Sequence, residues 1–347
     1  MNLLLIGPSA SIIGGTTISF EILLSGLSQI DGITYEVIYS NNYKGLESKN
    51  RIKSFIYVIK ELLHRKNNYD LIMLNASCNG ILYIGFFLIY LNIIYKKKIV
   101  LRIFGGNLDI FYKSRTALTA IIIRYILNHA NLILIQTKYL MNYLIEEKII
   151  NDAKRLKWYP TNRLVMPEKN TSKTAINFYY AGHIKKDKGI VTIIRAAELL
   201  NENIKIHLFG KIREDSLLNV IDNCDKCIYH GELKHDELMM KIRELDALIY
   251  PSFHWGEGYP GIVVESILLG KPVIAAKWRS VPEIVRENGL LFDVNDYQTL
   301  ASHMNTLSED TQLYEKLSRE AYQMAGLFDS NKWGNTLVHE YLTQEGI

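Results

Sequence analysis

The chain has 347 residues, 48% hydrophobic content and a formal net charge of only +4. That length favours two domains of about 150 residues each, and the apolar content is ample for packed cores. The small net charge gives no bulk electrostatic basis for nucleic-acid binding. The N-terminus has a short apolar run with no basic segment ahead of it, so it reads as a first strand and not as a signal peptide. The three cysteines, Cys78, Cys224 and Cys227, are an odd and sparse set, as expected of a reducing compartment. Cys224-Asp-Lys-Cys227 is followed by His230 and His235, which invites a zinc reading. The gap between the Cys pair and the His pair is far shorter than a finger needs. These residues are therefore expected on a helix end, a strand and a turn.

In chain order, residues 3–6 form a strand and 7–13 a loop, before Gly14-Gly15-Thr16-Thr17 leads into the apolar-periodic helix 18–27. Glycines at such a turn let a ligand approach the backbone ahead of a helix N-terminus; a plain tight turn accounts for them equally well. A strand at 35–39, a helix at 52–63 with Lys53, Lys60, His64, Arg65 and Lys66 on or near it, and a strand at 70–74 follow. Residues 81–95 are apolar nearly all round and end on Lys96-Lys97-Lys98. The run falls short of the roughly 20 residues a spanning helix needs, so it is expected as a buried helix of an α/β domain. Its alternative is a monotopic contact, with an apolar face in lipid and lysines against anionic head groups. A strand at 99–104 runs into Gly105-Gly106-Asn107-Leu108-Asp109, which reads as a turn. A helix at 117–129, a strand at 132–136 and a helix at 138–147 complete the first domain, which ends at 158–162. Residues 163–175 read as a linker.

The second half opens with a strand at 177–181, the loop Gly182-His-Ile-Lys-Lys-Asp-Lys-Gly189, and a helix at 190–200. Strands follow at 204–209 and 228–231, then a helix from His235 and a strand at 245–250. Next comes Tyr250-Pro-Ser-Phe-His-Trp-Gly-Glu-Gly-Tyr-Pro-Gly-Ile-Val-Val-Glu265. Pro260 suits the first turn of a helix, where its missing N–H would be orphaned anyway. Gly270 ends that helix and 271–276 is a strand. Helices at 297–307 and 311–327, a break at 328–333 with Ser330 as N-cap, and a last helix at 333–342 finish the chain. A strand–loop–helix–strand unit sets a loop and a helix N-terminus at the carboxyl edge of a parallel sheet, where ligands bind. N–H groups at 258–262 would face an anion there, between two carboxylates, Glu257 and Glu265, that can accept from paired hydroxyls. Such a site suits a phosphate with sugars on both sides, a nucleotide-sugar. The bland alternative is a generic βαβ unit with solvated glutamates.

The spacing Glu257, seven residues, Glu265, after Tyr-Pro-Ser and before Gly-Lys-Pro-Val-Ile-Ala, resembles the donor signature of family-4 retaining glycosyltransferases (glycosyl transferases group 1) of the GT-B fold. The resemblance is specific over about 177–293 and general over the first half. It implies an α/β architecture of two Rossmann-like domains whose parallel sheets face across a cleft. Residues 1–165 would bind the acceptor, 166–328 the donor, and 329–347 would be a helix returning to the first domain.

For the site, it implies that Lys188 and His183 stabilise the departing diphosphate, Glu257 holds sugar hydroxyls at the anomeric carbon, and Glu265 holds the ribose diol. His183 stands where relatives carry arginine, and histidine is only partly cationic at neutral pH; Lys185 or Lys186 could also substitute. Gly14, Gly15, Thr16, Gly258, Tyr259, Pro260, Gly261 and Ile262 would line the donor, and Gly210-Lys211 would pass the nucleotide base. On the acceptor side many relatives carry a histidine; here the slot reads Arg102-Ile-Phe-Gly-Gly. Asn107 and Asp109 are candidates for the missing base, and Arg102 either binds an acceptor phosphate or is a salt-bridge residue.

The implied activity is retaining hexosyl transfer from a nucleoside-diphosphate sugar to a lipid-linked or oligosaccharide acceptor, in bacterial surface polysaccharide synthesis. It would be cytoplasmic, with peripheral contact to an anionic membrane as a further expectation, and would need no metal, other cofactor or nucleic acid. A nucleotide-sugar epimerase of the same fold and a non-catalytic part of a polysaccharide assembly complex are the alternatives. A Rossmann dehydrogenase is disfavoured, since no Gly-x-Gly-x-x-Gly follows the first strand.

Overall fold

The computed structural model describes residues 1–9, 15–43, 46–47, 50–65, 68–104, 106–160, 167–171 and 174–343. The chain divides into two compact units, Met1–Leu164 with Asp329–Ile347, and Val165–Phe328. The predicted α/β class with two parallel sheets is what the structure has. The predicted linker at 163–175 lies partly outside the described residues.

The first unit carries β1 (Asn2–Gly7), β2 (Thr34–Tyr39), a short hairpin of β3 (Asn42–Tyr43) and β4 (Leu46–Glu47), β5 (Leu71–Ala76), β6 (Lys98–Ile103), β7 (Leu132–Ile135) and β8 (Leu156–Trp158). The main sheet is parallel in the order β2-β1-β5-β6-β7-β8. Successive strand residues point to opposite faces, so β1 serves two cores. Leu4 and Ile6 join Val58, Leu62, Leu88, Ile126 and Leu144 from the helices of one face. Leu3 and Leu5 join Phe20, Leu23 and Leu27 on the other, with Trp333 and Leu337 from the C-terminal segment. That segment thus packs on the first unit, as predicted, with Trp333 edge-on to Tyr159 at 5.5 Å. Its helix Ser330–Asn335 is capped by Asp329, which accepts from the Asn331 and Lys332 N–H groups, and not by Ser330. Asp329 has the extended backbone a cap requires, one residue earlier than expected.

Several short elements were not predicted, among them three that bear on the argument. The edge strand β8 is only three residues long. The helix Leu108–Lys113 replaces the turn expected around Asp109, and the helix Ser216–Asp222 lies in the second unit. None spans the window that periodicity needs to declare itself.

The second unit carries β9 (Asn177–Ala181), β10 (Lys205–Phe209), β11 (Cys227–Tyr229), β12 (Ala247–Tyr250), β13 (Val273–Ala276) and β14 (Gly289–Phe292). Its sheet is parallel in the order β11-β10-β9-β12-β13-β14. The chain runs outward from β9 through β10 and β11, then returns to place β12 on the other side of β9. The loops leaving β9 and β12 therefore diverge at a topological switch point, where open parallel sheets bind ligands. One expectation fails here: Cys224 and Cys227 are joined in a disulfide that closes the turn into β11, and are not the reduced thiols the cysteine count suggested. Cys78 is free and buried.

Candidate functional site

The loops after β9 and β12 are tied together at the switch point. Gly189 has a φ of +77°, and a Cβ there would lie 2.4 Å from the Pro251 carbonyl oxygen. Only glycine accepts both conditions. The Phe253 N–H donates to the Asp187 carbonyl at 3.0 Å, and the His254 ring Nδ1 lies 2.6 Å from Asp187 Oδ2. Burial pushes the Asp187 carboxyl up, but hydrogen bonds from His254 and Lys185 outweigh it and hold it below the usual range. Trp278 Nε1 donates to the His254 carbonyl at 2.9 Å, so the loop after β13 braces the same turn.

This bracing brings Lys188 Nζ and Glu257 Oε1 into an ion pair, with their side chains only 19% and 9% exposed. Ser252, fully buried, donates from Oγ to the same carboxylate oxygen at 2.7 Å. Glu257 is thus an oriented carboxylate and not a solvated surface group. Ser252 lay in the quoted motif, yet its role in holding Glu257 is visible only in the fold.

Beyond Glu257, the helix Gly261–Leu268 begins one residue after Pro260, which has the extended conformation of a cap (φ −66°, ψ 120°) and precedes the first turn instead of occupying it. The Ser280 hydroxyl fixes the chain by donating to the Gly258 carbonyl. The first-turn N–H groups of such a helix have no acceptor within it, so Gly261 and Ile262 present donors beside Glu257. Gly258 and Tyr259 lead into the same turn. One turn further, Glu265 is buried and pairs with His235, Oε1 to Nε2 at 3.1 Å. Each signature glutamate therefore already has a protein cation or hydrogen-bond donor against it.

The Glu265 hydrogen bond raises the His235 pKa above its ordinary 6.5. A raised folded-state pKa adds stability that is full below the unfolded value and is lost as pH rises through the folded one. The His235→Ala variant is therefore expected to lower the melting temperature more at about pH 5.5 than at about pH 9. Equal losses at both pH values would mean the pair carries no charge. Thermal melting of both proteins across that range decides it.

His183 is exposed on the loop after β9. That loop runs beside the one after β10: the Ile184 N–H donates to the Lys211 carbonyl at 3.0 Å, and the Arg213 N–H to the Ile184 carbonyl at 3.1 Å. This parallel course sets Arg213 next to His183. Partial desolvation of the ring on this loop, then the charges of Arg213, Lys188 and Lys185, lower the His183 pKa, with Glu232 opposing them. An exposed Arg213 guanidinium therefore stands beside His183, close to where relatives carry arginine. Sequence reasoning passed over Arg213, because only the strand register places residue 213 beside residue 183. At Gly210 the N–H donates to the Gly231 carbonyl at 2.7 Å and the carbonyl accepts from the Tyr229 hydroxyl at 2.9 Å. Lys211 is exposed.

In the first unit, Gly14 lies outside the described residues, and Gly15 and Thr16 open the helix Gly15–Leu27. Arg102 fits neither reading offered for it. It is 1% exposed, donates to the Ser19 carbonyl, Ser19 Oγ and Asn75 Oδ1, and lies against the Phe104 and Tyr159 rings at 4.6 and 4.9 Å. Burial lowers its pKa to about 10. Its work is structural, inside the core. Asn107 immediately precedes the helix Leu108–Lys113, its Oδ1 3.6 Å from Cys78 Sγ, and Asp109 is buried in the first turn, accepting from the Tyr139 hydroxyl at 3.3 Å. Neither is presented as an open base. Among the described residues no group of three His, Cys, Asp or Glu side chains is placed to hold a metal ion.

Residues 163–324 match the family model for glycosyl transferases group 1. The O-antigen chain mannosyltransferase B of Escherichia coli is 31% identical over 142 residues, 38% of this chain and 37% of that protein. An uncharacterized glycosyltransferase of Methanocaldococcus jannaschii is 24% identical over 356 residues, 95% of each chain. In two of the curated relatives the alignment spans just 38% and 37% of their length. The crystal structure of HepE from Anabaena in complex with UDP superposes with a TM-score of 0.77 at 18% identity, covering 100% of both chains. That likeness is one of fold, and the fold is GT-B.

Proposed function

Through residues 163–324 the chain belongs to the glycosyl transferases group 1 family, and on that premise we propose that it is a retaining glycosyltransferase. It moves a hexose from a nucleoside-diphosphate sugar to a lipid-linked or oligosaccharide acceptor in bacterial surface polysaccharide synthesis. The observation that carries this reading is the meeting of Lys188, Glu257 and the start of the helix Gly261–Leu268 at the β9/β12 switch point. The mannosyltransferases among its relatives and the UDP bound to HepE agree with it.

In this reading the donor replaces partners the protein holds in its absence. The diphosphate takes Lys188 and Arg213, with the N–H groups of Gly261 and Ile262. Glu257, released from Lys188 but still held by Ser252, accepts hydroxyls of the sugar and fixes its anomeric carbon. Glu265, released from His235, accepts the ribose diol. The bond from the anomeric carbon to the phosphate oxygen breaks, the acceptor oxygen bonds to that carbon on the same face, and the leaving phosphate takes the acceptor proton. Donors preorganised around the developing phosphate charge supply the main stabilisation. Lys188, Arg213 and the helix N-terminus do this with fixed protein charge, so turnover is proposed to be independent of divalent metal. A lipid-linked acceptor would place the enzyme at the inner face of a membrane.

The test is a donor panel of UDP-, GDP-, ADP- and dTDP-sugars, with nucleotide release followed with and without chelator. One donor is expected to release nucleotide, unaffected by chelator. Loss with chelator and rescue by magnesium or manganese would refute metal independence. Donor conversion without any acceptor would identify an epimerase. No binding of any nucleotide would leave a non-catalytic assembly component.

A further inference from the structure

We propose that the first unit docks on an anionic lipid surface through the outer faces of two neighbouring helices, Cys78–Tyr95 and Ala117–His129. This deepens the lipid-linked acceptor reading, and its test uses neither donor nor acceptor, so the two can fail separately.

The helical stretch Cys78–Tyr95 has 18 residues and a mean hydropathy of 1.7. Its inner side is accounted for: Ile81, Ile84, Leu88 and Leu91 are buried in the core beside the sheet. A helix packed in this way ordinarily turns polar residues outward. Here the outward positions are Tyr83, Phe86, Tyr90 and Ile93, 62%, 54%, 47% and 52% exposed. Their spacing of three, four and three residues keeps them on one stripe. The helix Ala117–His129 lies alongside, since a Cβ on Gly85 would sit 3.1 Å from Ile126 Cγ2. It exposes Leu118 (69%), Ile121 (63%) and Tyr125. Two adjacent apolar stripes make a patch of the kind that marks an interaction surface.

Charge identifies the occupant. Neither helix contains an aspartate or glutamate. Arg124 is exposed between Ile121 and Tyr125, and Lys96-Lys97-Lys98 follow the end of the first helix, with Lys96 exposed. Apolar and aromatic side chains with cations and no anions match the boundary of a bilayer carrying anionic head groups. A second copy of the chain would set like charges against each other. The first helix does not leave the domain to span a bilayer, because its inner face is core.

The test is sedimentation of the purified full chain with vesicles of phosphatidylcholine alone, or of phosphatidylcholine with phosphatidylglycerol. The protein is expected to sediment with the anionic vesicles, less so in high salt. Phe86→Ser with Tyr90→Ser and Ile93→Ser should lower lipid partitioning about tenfold or more. Lys96→Glu with Arg124→Glu should remove the preference for phosphatidylglycerol. Melting temperatures of both variants, which alter only exposed positions, show that they are folded. The proposal is overturned if the wild type stays in the supernatant, sediments equally with both vesicles, or partitions like the triple variant. It is also overturned if the wild type is a dimer that the triple variant converts to monomer, since the face would then be a self-interface.

Discussion

Replacing Glu257 with alanine is expected to reduce nucleotide release from the donor about a hundredfold, because a misplaced reacting centre costs on that order. The structure adds a second consequence. Glu257 is the common acceptor for Lys188 and for the buried Ser252 hydroxyl. Alanine leaves a largely buried ammonium and hydroxyl without their partner, and a lost buried pair costs about 3 kcal/mol. The melting temperature should therefore fall together with activity. Glu257→Gln separates the two effects. The amide still accepts from Ser252 but no longer neutralises Lys188, so it should recover part of the stability while turnover stays low. Initial rates and thermal melts on the three proteins make the comparison. A Glu257→Ala enzyme keeping more than half of the wild-type rate would refute the assignment. A Gln variant as active as wild type would show that the carboxylate charge is irrelevant.

The second large effect concerns the diphosphate. Lys188→Ala is expected to cut turnover about a hundred- to a thousandfold, the usual loss when one preorganised donor to a developing anion is removed. Arg213→Ala should cost about tenfold, as its guanidinium is exposed and acts through a screened field. His183 supplies a pH signature. Partial desolvation and the charges of Arg213, Lys188 and Lys185 hold its pKa down without ligand. A diphosphate beside it favours the imidazolium, so the pKa is higher in the complex than in the free protein. Binding then takes up a proton, and nucleotide diphosphate affinity rises as pH falls through the bound-state pKa toward the lower free-state value. Titration calorimetry of UDP or GDP in buffers of differing ionisation enthalpy measures that proton directly. The Arg213→Ala variant should start with a less depressed His183 and so take up a smaller fraction of a proton. A pH-independent affinity, or uptake unchanged by Arg213→Ala, would remove His183 and Arg213 from the diphosphate site.

Much of this molecule is legible along the chain, for a local reason. A strand buried on both faces must be a short continuous apolar run, so the strands predicted at 3–6, 70–74 and 271–276 declare themselves by their apolar centres. The glutamate spacing of the donor signature lies inside one loop and one helix. Glu257, Glu265 and the Gly261 turn are therefore fixed relative to one another by local geometry, and the sequence places them together without the rest of the fold. Lys188 followed by Gly189 is readable in the same way.

What the sequence leaves undecided depends on contacts between distant segments. Arg102 reads along the chain as either an anion binder or a salt-bridge residue, because its neighbours in the chain say nothing of Ser19, Asn75 or Tyr159, which enclose it in three dimensions. Asp109 looked like a turn residue until a six-residue helix buried it. Arg213 became visible only when the loops after β9 and β10 were seen to run side by side. The helix at 78–95 shows the same division. Its hydrophobicity is a property of the sequence, but an all-apolar helix does not reveal which side meets the core. Packing against the sheet buries one stripe and leaves Tyr83, Phe86, Tyr90 and Ile93 outside. The sequence by itself determined most of the element types and the spacing of the candidate donor signature, because these rest on short-range periodicity and spacing. Only the tertiary structure decided which charges meet, which are buried and which apolar surface faces solvent, because those are set by contacts across strands and loops far apart in the chain.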